Sequence, residues 1–256
     1  MQVSAGVRSN AGHELVSAIP SIKSLLFVMC NASGIRVILP AATWDTLMKL
    51  YYSPGSSSLA SHIVLIEAAL PFEALRVDEH TKIMADGGDY REVHPLGYVP
   101  ALRLDDGTLL TEGAAIMQYV AELARPKNLV PAAGTLARAK LQAWLNFLSS
   151  ELHKGGFSSL FNPAMPEAAK RIFRDRLALR LAHLDWHLAS REYLLDTGYS
   201  VADAHCFVVT SWANWVDLDL SPYPALRAHH ARIGMRVAVR AALSAEGMIP
   251  WPDTAP

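Results

Sequence analysis

The sequence predicts an α/β domain followed by an all-helical domain, and two observations support this fold class. Between residues 48 and 128, short strand-like runs and segments of helical periodicity follow one another in the order βαβ and then ββα. Beyond a linker at residues 125–134, which proline and glycine punctuate, apolar residues recur at helical spacing and nothing reads as a strand. We therefore expect one domain over residues 48–128 and a second over residues 134–247.

The βαβ unit begins at Met48. The run "KLYY" is typical of a strand, and "SPGSSS" after it is typical of a turn whose serines cap the next helix. Apolar residues from Leu59 to Leu70 then recur at helical spacing, and Pro71 ends that helix. The alternating run "FEALRV" follows as the second strand of the unit.

The ββα unit lies in "YVPALRLDDGTLLTEG" and the segment after it. Two short strands are joined there by an Asp-Gly turn, which is a hairpin signal. Thr111 and Glu112 then open a helix over "EGAAIMQYVAELA". The polar stretch "HTKIMADGGDYREVHP", which separates the two units, is expected to hold a short helix.

The second domain begins with "LARAKLQAWLNFLSSELHKG", which predicts one long helix. Ser200 and Asp203 have the spacing of a capping box at the start of a later helix. Periodicity assigns these residues to the bundle core: Phe173, Leu177, Leu181, Leu184, Leu188, Val201, Ala204, Val208, and the tryptophans Trp186, Trp212 and Trp215.

Residues 1–47 have a different character. The short apolar runs "LLFVMC" and "IRVILP" are separated by "NASG", a pattern that fits a hairpin. A signal peptide fits poorly, because the apolar run is short and no small-residue cleavage site follows it. We expect residues 1–47 to be an extension outside the core fold, translated upstream of a natural start at Met48. The alternative is that this extension has a function of its own.

The composition limits the classes of partner. Apolar residues make up 51% of the chain and charged residues 18%, and the formal net charge of −1 provides no basic field for nucleic acid. No apolar run approaches the ~20 residues that span a bilayer, so no membrane partner is expected. Cys30 and Cys206 are far apart and outside any metal or redox spacing, which favours a reducing cytoplasm.

A series of short motifs carries a family resemblance. "MKLYYSPG", "LASHI", "VPAL", "LDDGTLLTEG", "AIMQY", "ELHKG" and "ADAH" occur in order from Met48 to about Gly247. In this the sequence resembles the bacterial beta-class glutathione S-transferases. The resemblance implies a thioredoxin-like N-terminal domain, a helical C-terminal domain that carries the acceptor pocket, and a homodimer. It also implies conjugation of glutathione, as co-substrate, to small hydrophobic electrophiles.

The three consecutive serines that end "SPGSSS" bear on how such an enzyme would activate sulfur. A free thiol with a pKa near 8.5 is only a few per cent ionised at neutral pH, so the protein must stabilise the thiolate. Hydrogen-bond donors at a helix N-terminus do this. The beta-class relatives carry a cysteine at Ser57, so the resemblance implies a serine-type enzyme with Ser57 as the catalytic donor. Ser58 and Tyr52 are further candidates, and plain N-capping by the serines is the alternative.

The resemblance also assigns residues to the tripeptide. It implies a cis bond between Val99 and Pro100, which lets the Val99 backbone pair with glutathione as an added strand. Glu112 is expected to accept from the γ-glutamyl ammonium, and N–H groups near Gly113 to bind its carboxylate. Gly113 stands where many relatives carry a serine. Lys82 matches a glutathione-contacting lysine.

The first helix of the second domain carries a polar stripe. Asn146, Ser150 and His153 are spaced at i, i+4 and i+7, which places them on one face of an α-helix. We expect this face to line the cleft between the domains and to bind glutathione. His153 is predicted to assist catalysis as a donor to the sulfur, with a structural histidine as the alternative.

Two other functions stay open. A protein that binds glutathione or another ligand without catalysis, and a glutathione-dependent peroxidase, fit the same residues. No metal is expected. His183 and His187 are four apart on a helix, but no third ligand accompanies them.

Overall fold

The computed structural model of the protein describes residues 27–30, 36–39 and 47–248. The chain divides into two units, Met1–Trp44 and Asp45–Pro256. In the first unit, strands β1 (Phe27–Cys30) and β2 (Arg36–Leu39) pair antiparallel. This pair matches the hairpin expected from the two apolar runs. The other predictions for residues 1–46 lie outside the described residues.

The α/β part of the second unit has the predicted order of elements. Its sheet has the strand order β4-β3-β5-β6, in which β3 and β4 are parallel and the other neighbours antiparallel. This is the thioredoxin-like arrangement. The elements are β3 (Met48–Tyr52), α1 (Ser58–Ala68), β4 (Phe72–Arg76), β5 (Ala101–Arg103), β6 (Leu109–Thr111) and α2 (Gly113–Leu123).

The register of this sheet places its central strand in the core. Leu50 of β3 lies beside Ala74 of β4 and Leu102 of β5, and Leu50 and Leu102 are fully buried. Helix α1 is buried on almost every side, because it packs against α2 and against helices of the C-terminal part. Burial of this kind is the main stabilising term of such a fold. The turn at the start of α1 is therefore held between the two parts of the unit.

The segment between β4 and β5 leads to the site. It contains the expected short helix, a 3₁₀ turn at Tyr90–Glu92, and the side chain of Tyr90 is fully buried beneath it. The Tyr90 hydroxyl donates to the carbonyl of Tyr98 at 2.9 Å. The next peptide bond, Val99–Pro100, is cis, as the family resemblance implied.

The C-terminal part is helical, and residues 131–248 contain no strand. The predicted long first helix has two different sections, since α3 continues without a break into a π-helical segment. The elements are α3 (Leu136–Phe147), the π-helical segment (Leu148–Phe157), α4 (Ser158–Phe161), α5 (Glu167–Leu188), α6 (Val201–Ser211), α7 (Pro224–Gly234) and α8 (Val237–Ala245).

Two glycines allow the π-helical segment. A Cβ at Gly155 would lie 2.6 Å from the carbonyl oxygen of Ser150, and a Cβ at Gly156 would lie 2.5 Å from the side chain of Leu177 on α5. In a π-helix the backbone hydrogen bonds span five residues instead of four, which changes the residues that share a face. The two glycines of "HKGG", Gly155 and Gly156, therefore affect which residues of this helix face the cavity.

The capping pair at α6 forms as predicted. The Asp203 carboxylate accepts from the backbone N–H of Ser200 at 2.8 Å and from its hydroxyl at 2.9 Å. The same carboxylate accepts from the N–H of Leu194 and is paired with His229. These contacts stabilise the start of α6, which passes behind the cavity described below.

Most of the predicted bundle core is buried, but two tryptophans are not. Leu177, Leu181, Leu184 and Leu188 line the buried face of α5, and Trp212 is buried, as predicted. Trp186 is 72% exposed because the four leucines already fill the inner face of α5. Trp215 is 52% exposed, since α6 ends at Ser211 and a 3₁₀ turn, Trp212–Val216, changes the helical phase. The core assignment of Trp186 and Trp215 was wrong.

Candidate functional site

One cavity of about 570 Å³ lies between the α/β part and the helical part of the second unit. Its α/β wall consists of the turn before α1, the segment before the cis peptide bond, and the start of α2. Its helical wall consists of the π-helical segment, α4, α6 and the 3₁₀ turn. The lining residues are Pro54, Ser56, Ser57, Glu79, His80, Lys82, His94, Gly97, Tyr98, Val99, Pro100, Glu112, Gly113, Ala114, Ser149, His153, Lys154, Ser158, Phe161, His205, Trp212 and Trp215.

The serines at the start of α1 have different roles. The Ser58 hydroxyl lies 2.7 Å from that of Ser56 and 3.2 Å from both the N–H and the carbonyl of Ser53, so these residues close the turn among themselves. Ser57 precedes α1 but makes no side-chain capping bond. Its hydroxyl donates instead to the carbonyl of Val99, at a long 3.4 Å. Ser57 is therefore the hydroxyl of this cluster that is available to a ligand.

The helical part holds the same turn in place. Gly55 donates its N–H to a carboxylate oxygen of Glu246 at 2.8 Å, and its carbonyl accepts from the indole N–H of Trp212 at 2.9 Å. The other oxygen of Glu246 lies 2.8 Å from Nδ1 of His62 on α1. Gly55 has a φ of +69°, and a Cβ there would lie 2.5 Å from the ring of Trp215. The Gly55 peptide is thus fixed from both sides, two residues before Ser57.

The start of α2 presents backbone groups to the cavity. Glu112 has a φ of +67° and its side chain does not cap the helix, which leaves the carboxylate free for a ligand. The first N–H groups of any helix lack intrahelical partners, and here Gly113 and Ala114 line the cavity. Gly113 packs on the ring of the cis Pro100, where a Cβ would lie 3.3 Å from Cγ. This corner can bind a carboxylate on N–H groups and an ammonium on Glu112.

Two lysines add positive charge to the lining. Lys82 has a φ of +64°, and its aliphatic chain lies over Gly97, where a Cβ would be 3.2 Å from the lysine Cδ. Lys154 places its ammonium 5.1 Å from the centre of the Tyr98 ring. A ligand with a carboxylate at each end is complementary to Lys82 at one end and the start of α2 at the other.

His153 lies in the helical wall as a neutral imidazole. Burial lowers the pKa of His153 from 6.5 to about 3, and the charges of Lys154 and His205 contribute. Its ring meets that of Trp212 edge to face, with centroids 4.8 Å apart. His153 can therefore donate one neutral N–H into the cavity at pH 7, but it provides no positive charge for a thiolate.

Seven predicted residues line the cavity, and four do not. Tyr52 is buried in the sheet, where burial and then the nearby Glu246 raise its pKa. Ser58 is used within the turn. Asn146 and Ser150 face away, and the Ser150 hydroxyl donates to the Asn146 carbonyl at 2.8 Å. The seven that line the cavity are Ser57, Lys82, Val99, Pro100, Glu112, Gly113 and His153.

The residues of this helix that line the cavity differ from the predicted polar stripe. The predicted stripe assumed α-helical phase, in which residues 146, 150 and 153 share a face. In the π-helical phase, residues four and five apart share the face. The cavity face is therefore Ser149, His153, Lys154 and Ser158. Asn146 lies on α3, before the π-helical segment, and both Asn146 and Ser150 are outside the lining of this cavity, so their contact with glutathione stays a prediction.

The described residues offer no group of three or more metal-ligating side chains. None of the described helices is long and apolar enough to cross a membrane. Cys206 is fully buried on α6, and burial raises the pKa of its thiol, with Asp203 adding to the effect. Its thiol cannot replace a cysteine at the start of α1.

Comparison with known proteins gives consistent matches. The family described as "Glutathione S-transferase, N-terminal domain" matches residues 56–123, and "Glutathione S-transferase, C-terminal domain" matches residues 148–236. The glutathione S-transferase GstA of Escherichia coli O157:H7 is 43% identical over 201 residues, which are 78% of this chain and all of that protein.

Solved structures agree with these matches. BphK, a bacterial glutathione transferase in a ternary complex, is 53% identical with a TM-score of 0.76. A sphingomonad glutathione S-transferase complexed with glutathione is 43% identical, and a beta-class enzyme of Sphingomonas chungbukensis is 42% identical, each with a TM-score of 0.76. Each alignment covers 78% of this chain and all of the other chain. The resemblance to beta-class enzymes read from the motifs is confirmed.

Proposed function

The chain belongs to the glutathione S-transferase family, and on this premise we propose that the Ser57 hydroxyl activates the thiol of glutathione bound in the cavity. The protein is a transferase that conjugates glutathione. The observation that carries the proposal is the hydrogen bonding of the serine turn. Ser53, Ser56 and Ser58 bond to one another, whereas Ser57 makes only one long bond, to the carbonyl of Val99.

In the proposed complex, glutathione lies along the α/β wall. Its backbone pairs with Val99 beside Pro100, its γ-glutamyl ammonium binds Glu112, and its γ-glutamyl carboxylate binds N–H groups at Gly113. Its glycyl carboxylate binds Lys82. Such a pose is supported by the distribution of donors and charges in the lining, and it places the cysteinyl sulfur near the start of α1.

The chemical step requires a thiolate. A shift of the thiol pKa from 8.5 by two units corresponds to roughly 2.7 kcal/mol of preferential stabilisation, which two or three hydrogen-bond donors and a helix N-terminus can supply. The thiolate then attacks an electrophilic carbon. A carbon–sulfur bond forms, and the leaving group departs with its electron pair. His153 serves as a neutral N–H donor toward the sulfur from the opposite wall.

The test is a titration of thiolate absorbance in the ultraviolet for glutathione bound to the unmodified protein. We expect a thiol pKa about two units below the value of free glutathione. Binding with an unshifted pKa and no conjugation would instead support a protein that carries glutathione without catalysis. A lowered pKa with turnover of peroxides alone would support the peroxidase alternative.

We further propose that the enzyme acts in the cytoplasm as a homodimer, on small hydrophobic electrophiles. The cavity supports this substrate class, because Phe161, Trp212 and Trp215 contribute aromatic rings to its helical wall. Light scattering after size-exclusion chromatography tests the dimer, and fractionation of the producing cells tests the location.

A further inference from the structure

The helical wall of the cavity contains a serine–histidine pair that the proposed function leaves unused. The hydroxyl oxygen of Ser149 lies 3.3 Å from Nε2 of His205, and both residues line the cavity. Ser149 lies on the π-helical segment, four residues before His153. His205 lies on α6 and is 3% exposed. The pair is thus built into the wall that faces the bound glutathione.

The environment of His205 determines which residue of the pair donates the hydrogen bond and which accepts it. Burial lowers the pKa of His205 to about 4, so the ring is neutral and carries one N–H. Its Nδ1 is buried and has no hydrogen-bond partner among the described residues. In folded proteins, a buried N–H group that lacks an acceptor is rarer than a buried acceptor atom that lacks a donor. We therefore assign the proton to Nε2, which donates to the Ser149 oxygen.

This assignment leaves the hydrogen of the Ser149 hydroxyl for the cavity. The oxygen accepts from His205, and Ser149 makes no other side-chain hydrogen bond to the described residues. A hydroxyl that already accepts a hydrogen bond is a better donor, because hydrogen bonds in a chain polarise one another. Ser149 is therefore a fixed donor that needs no reorganisation when charge appears in front of it.

Aromatic rings line the same cavity as this donor. The ring centroids of Phe161 and Trp212 are 5.7 Å apart and those of Phe161 and Trp215 are 6.2 Å apart. His153, one turn after Ser149, contacts Trp212. An aromatic ring of a substrate can stack among these side chains while an attached polar group reaches Ser149.

We propose that Ser149, oriented by His205, is a specificity-determining donor that favours aromatic α,β-unsaturated carbonyl compounds among the electrophiles. The inference rests on the proposed function, since it requires glutathione thiolate in the same cavity. The thiolate sulfur forms a bond to the β-carbon, the carbon–carbon π pair becomes a double bond between the α-carbon and the carbonyl carbon, and the carbonyl π pair moves to the oxygen of an enolate. The Ser149 hydroxyl stabilises this oxygen. A proton from water then adds to the α-carbon and the carbonyl re-forms, while the hydroxide left behind takes up the proton that the thiol released on ionisation.

The experiment compares two aromatic electrophiles. 4-Phenyl-3-buten-2-one develops charge on oxygen, whereas benzyl chloride loses chloride and has no oxygen. We expect Ser149→Ala and His205→Leu to lower kcat/KM for the enone about tenfold more than for benzyl chloride. We expect Ser149→Thr, which keeps the hydroxyl, and His205→Gln, which keeps an N–H near the Nε2 position, to retain most of the selectivity.

Ser211→Ala is the matched control. The Ser211 hydroxyl lies 2.9 Å from Nε2 of His230, but Ser211 is outside the cavity lining. This variant should leave the ratio of the two kcat/KM values unchanged. Loss of folded protein lowers both rates equally, so the ratio is unaffected by stability.

Two results overturn the inference, and they differ. If the unmodified protein conjugates both electrophiles and Ser149→Ala leaves their ratio unchanged, the donor role of Ser149 is wrong while the proposed function stands. If the unmodified protein conjugates neither electrophile and does not lower the pKa of bound glutathione, the proposed function fails and the inference fails with it.

Discussion

Glu246 accepts a hydrogen bond from the backbone N–H of Gly55 at 2.8 Å, across 191 residues of sequence. The carboxylate follows the end of α8, and Gly55 lies in the turn that carries Ser57. The side chain of Glu246 is fully buried and its second oxygen is paired with His62. The C-terminal helix therefore holds the turn that precedes the proposed catalytic serine.

We expect Glu246→Ala to lower the free energy of unfolding by about 3 kcal/mol, because it leaves His62 and the Gly55 N–H buried without their partner. Urea denaturation measures this loss. Glu67→Gln is the matched control, since the Glu67–Arg236 pair also joins α1 to the start of α8 but is partly exposed. If Glu246→Ala lowers the free energy of unfolding no more than Glu67→Gln does, the contacts of Glu246 with Gly55 and His62 do not hold the turn.

Substitutions at Ser57 test sulfur activation directly. We expect Ser57→Ala to raise the pKa of the bound glutathione thiol by about one unit and to lower kcat/KM near pH 7 about tenfold. Thiolate absorbance and conjugation assays measure these changes, with Ser58→Ala as the comparison within the same turn. An unchanged thiol pKa in Ser57→Ala would assign the activation to another donor.

Ser57→Cys is expected to add a different activity. The cysteine thiolate would attack one sulfur of oxidised glutathione, form a mixed disulfide and release reduced glutathione. Intact-mass spectrometry should detect one added glutathionyl group, which is lost on reduction. In the unmodified protein, peptide mapping under the same conditions should find no glutathionyl group at Cys206, because Cys206 is buried and the pKa of its thiol is raised. Modification of the unmodified protein at Cys206 would contradict this account of its burial.

The lowered pKa of His153 predicts a pH dependence of stability. The pKa is about 3 in the folded protein and 6.5 as the ordinary value, so the unfolded chain binds the additional proton between these limits. The stabilisation is complete above pH 6.5 and decreases as the pH falls toward 3. When the pH is lowered from 6.5 to 5.5, we expect the free energy of unfolding of the unmodified protein to decrease. The decrease over the same interval should be about 1 kcal/mol smaller in His153→Gln, which lacks the titrating imidazole. Parallel curves would show that His153 is not held neutral by burial.

Gly113→Ser should strengthen glutathione binding. The nearest atoms to a Cβ at Gly113 would be those of the Pro100 ring, at 3.3 Å, and the Ser61 hydroxyl, at 3.8 Å, so a serine fits with a small shift. One additional hydrogen bond to the γ-glutamyl carboxylate corresponds to about 1 kcal/mol, or roughly fivefold in the KM for glutathione. Gly113→Ala provides the control for helix propensity. If both variants change KM equally, the hydroxyl makes no contact.

Much of the site on the α/β side was predictable because the family resemblance assigned its residues to short motifs. Ser57 precedes a helix, Pro100 precedes a strand and Glu112 opens a helix, and the antiparallel pairing of β3, β5 and β6 brings them to one end of the sheet. The helical wall was less predictable. Ser149 and His205 are 56 residues apart on different helices, and no spacing in the sequence connects them.

The sequence by itself determined the order of strands and helices and the two-part fold, which follow from periodicity, turn residues and capping that act over a few residues. The residues of the α/β wall of the cavity were expected from the family resemblance of its motifs. Only the tertiary structure decided that Ser57 is the available hydroxyl and that Ser149, not Ser150, faces the cavity. The first depends on the bond from Ser58 to Ser53, while Ser57 makes only a long bond to Val99, and the second on the packing of the π-helical segment, where Gly156 lies against Leu177. Both depend on hydrogen-bond partners and packing contacts that are brought together only when the chain folds.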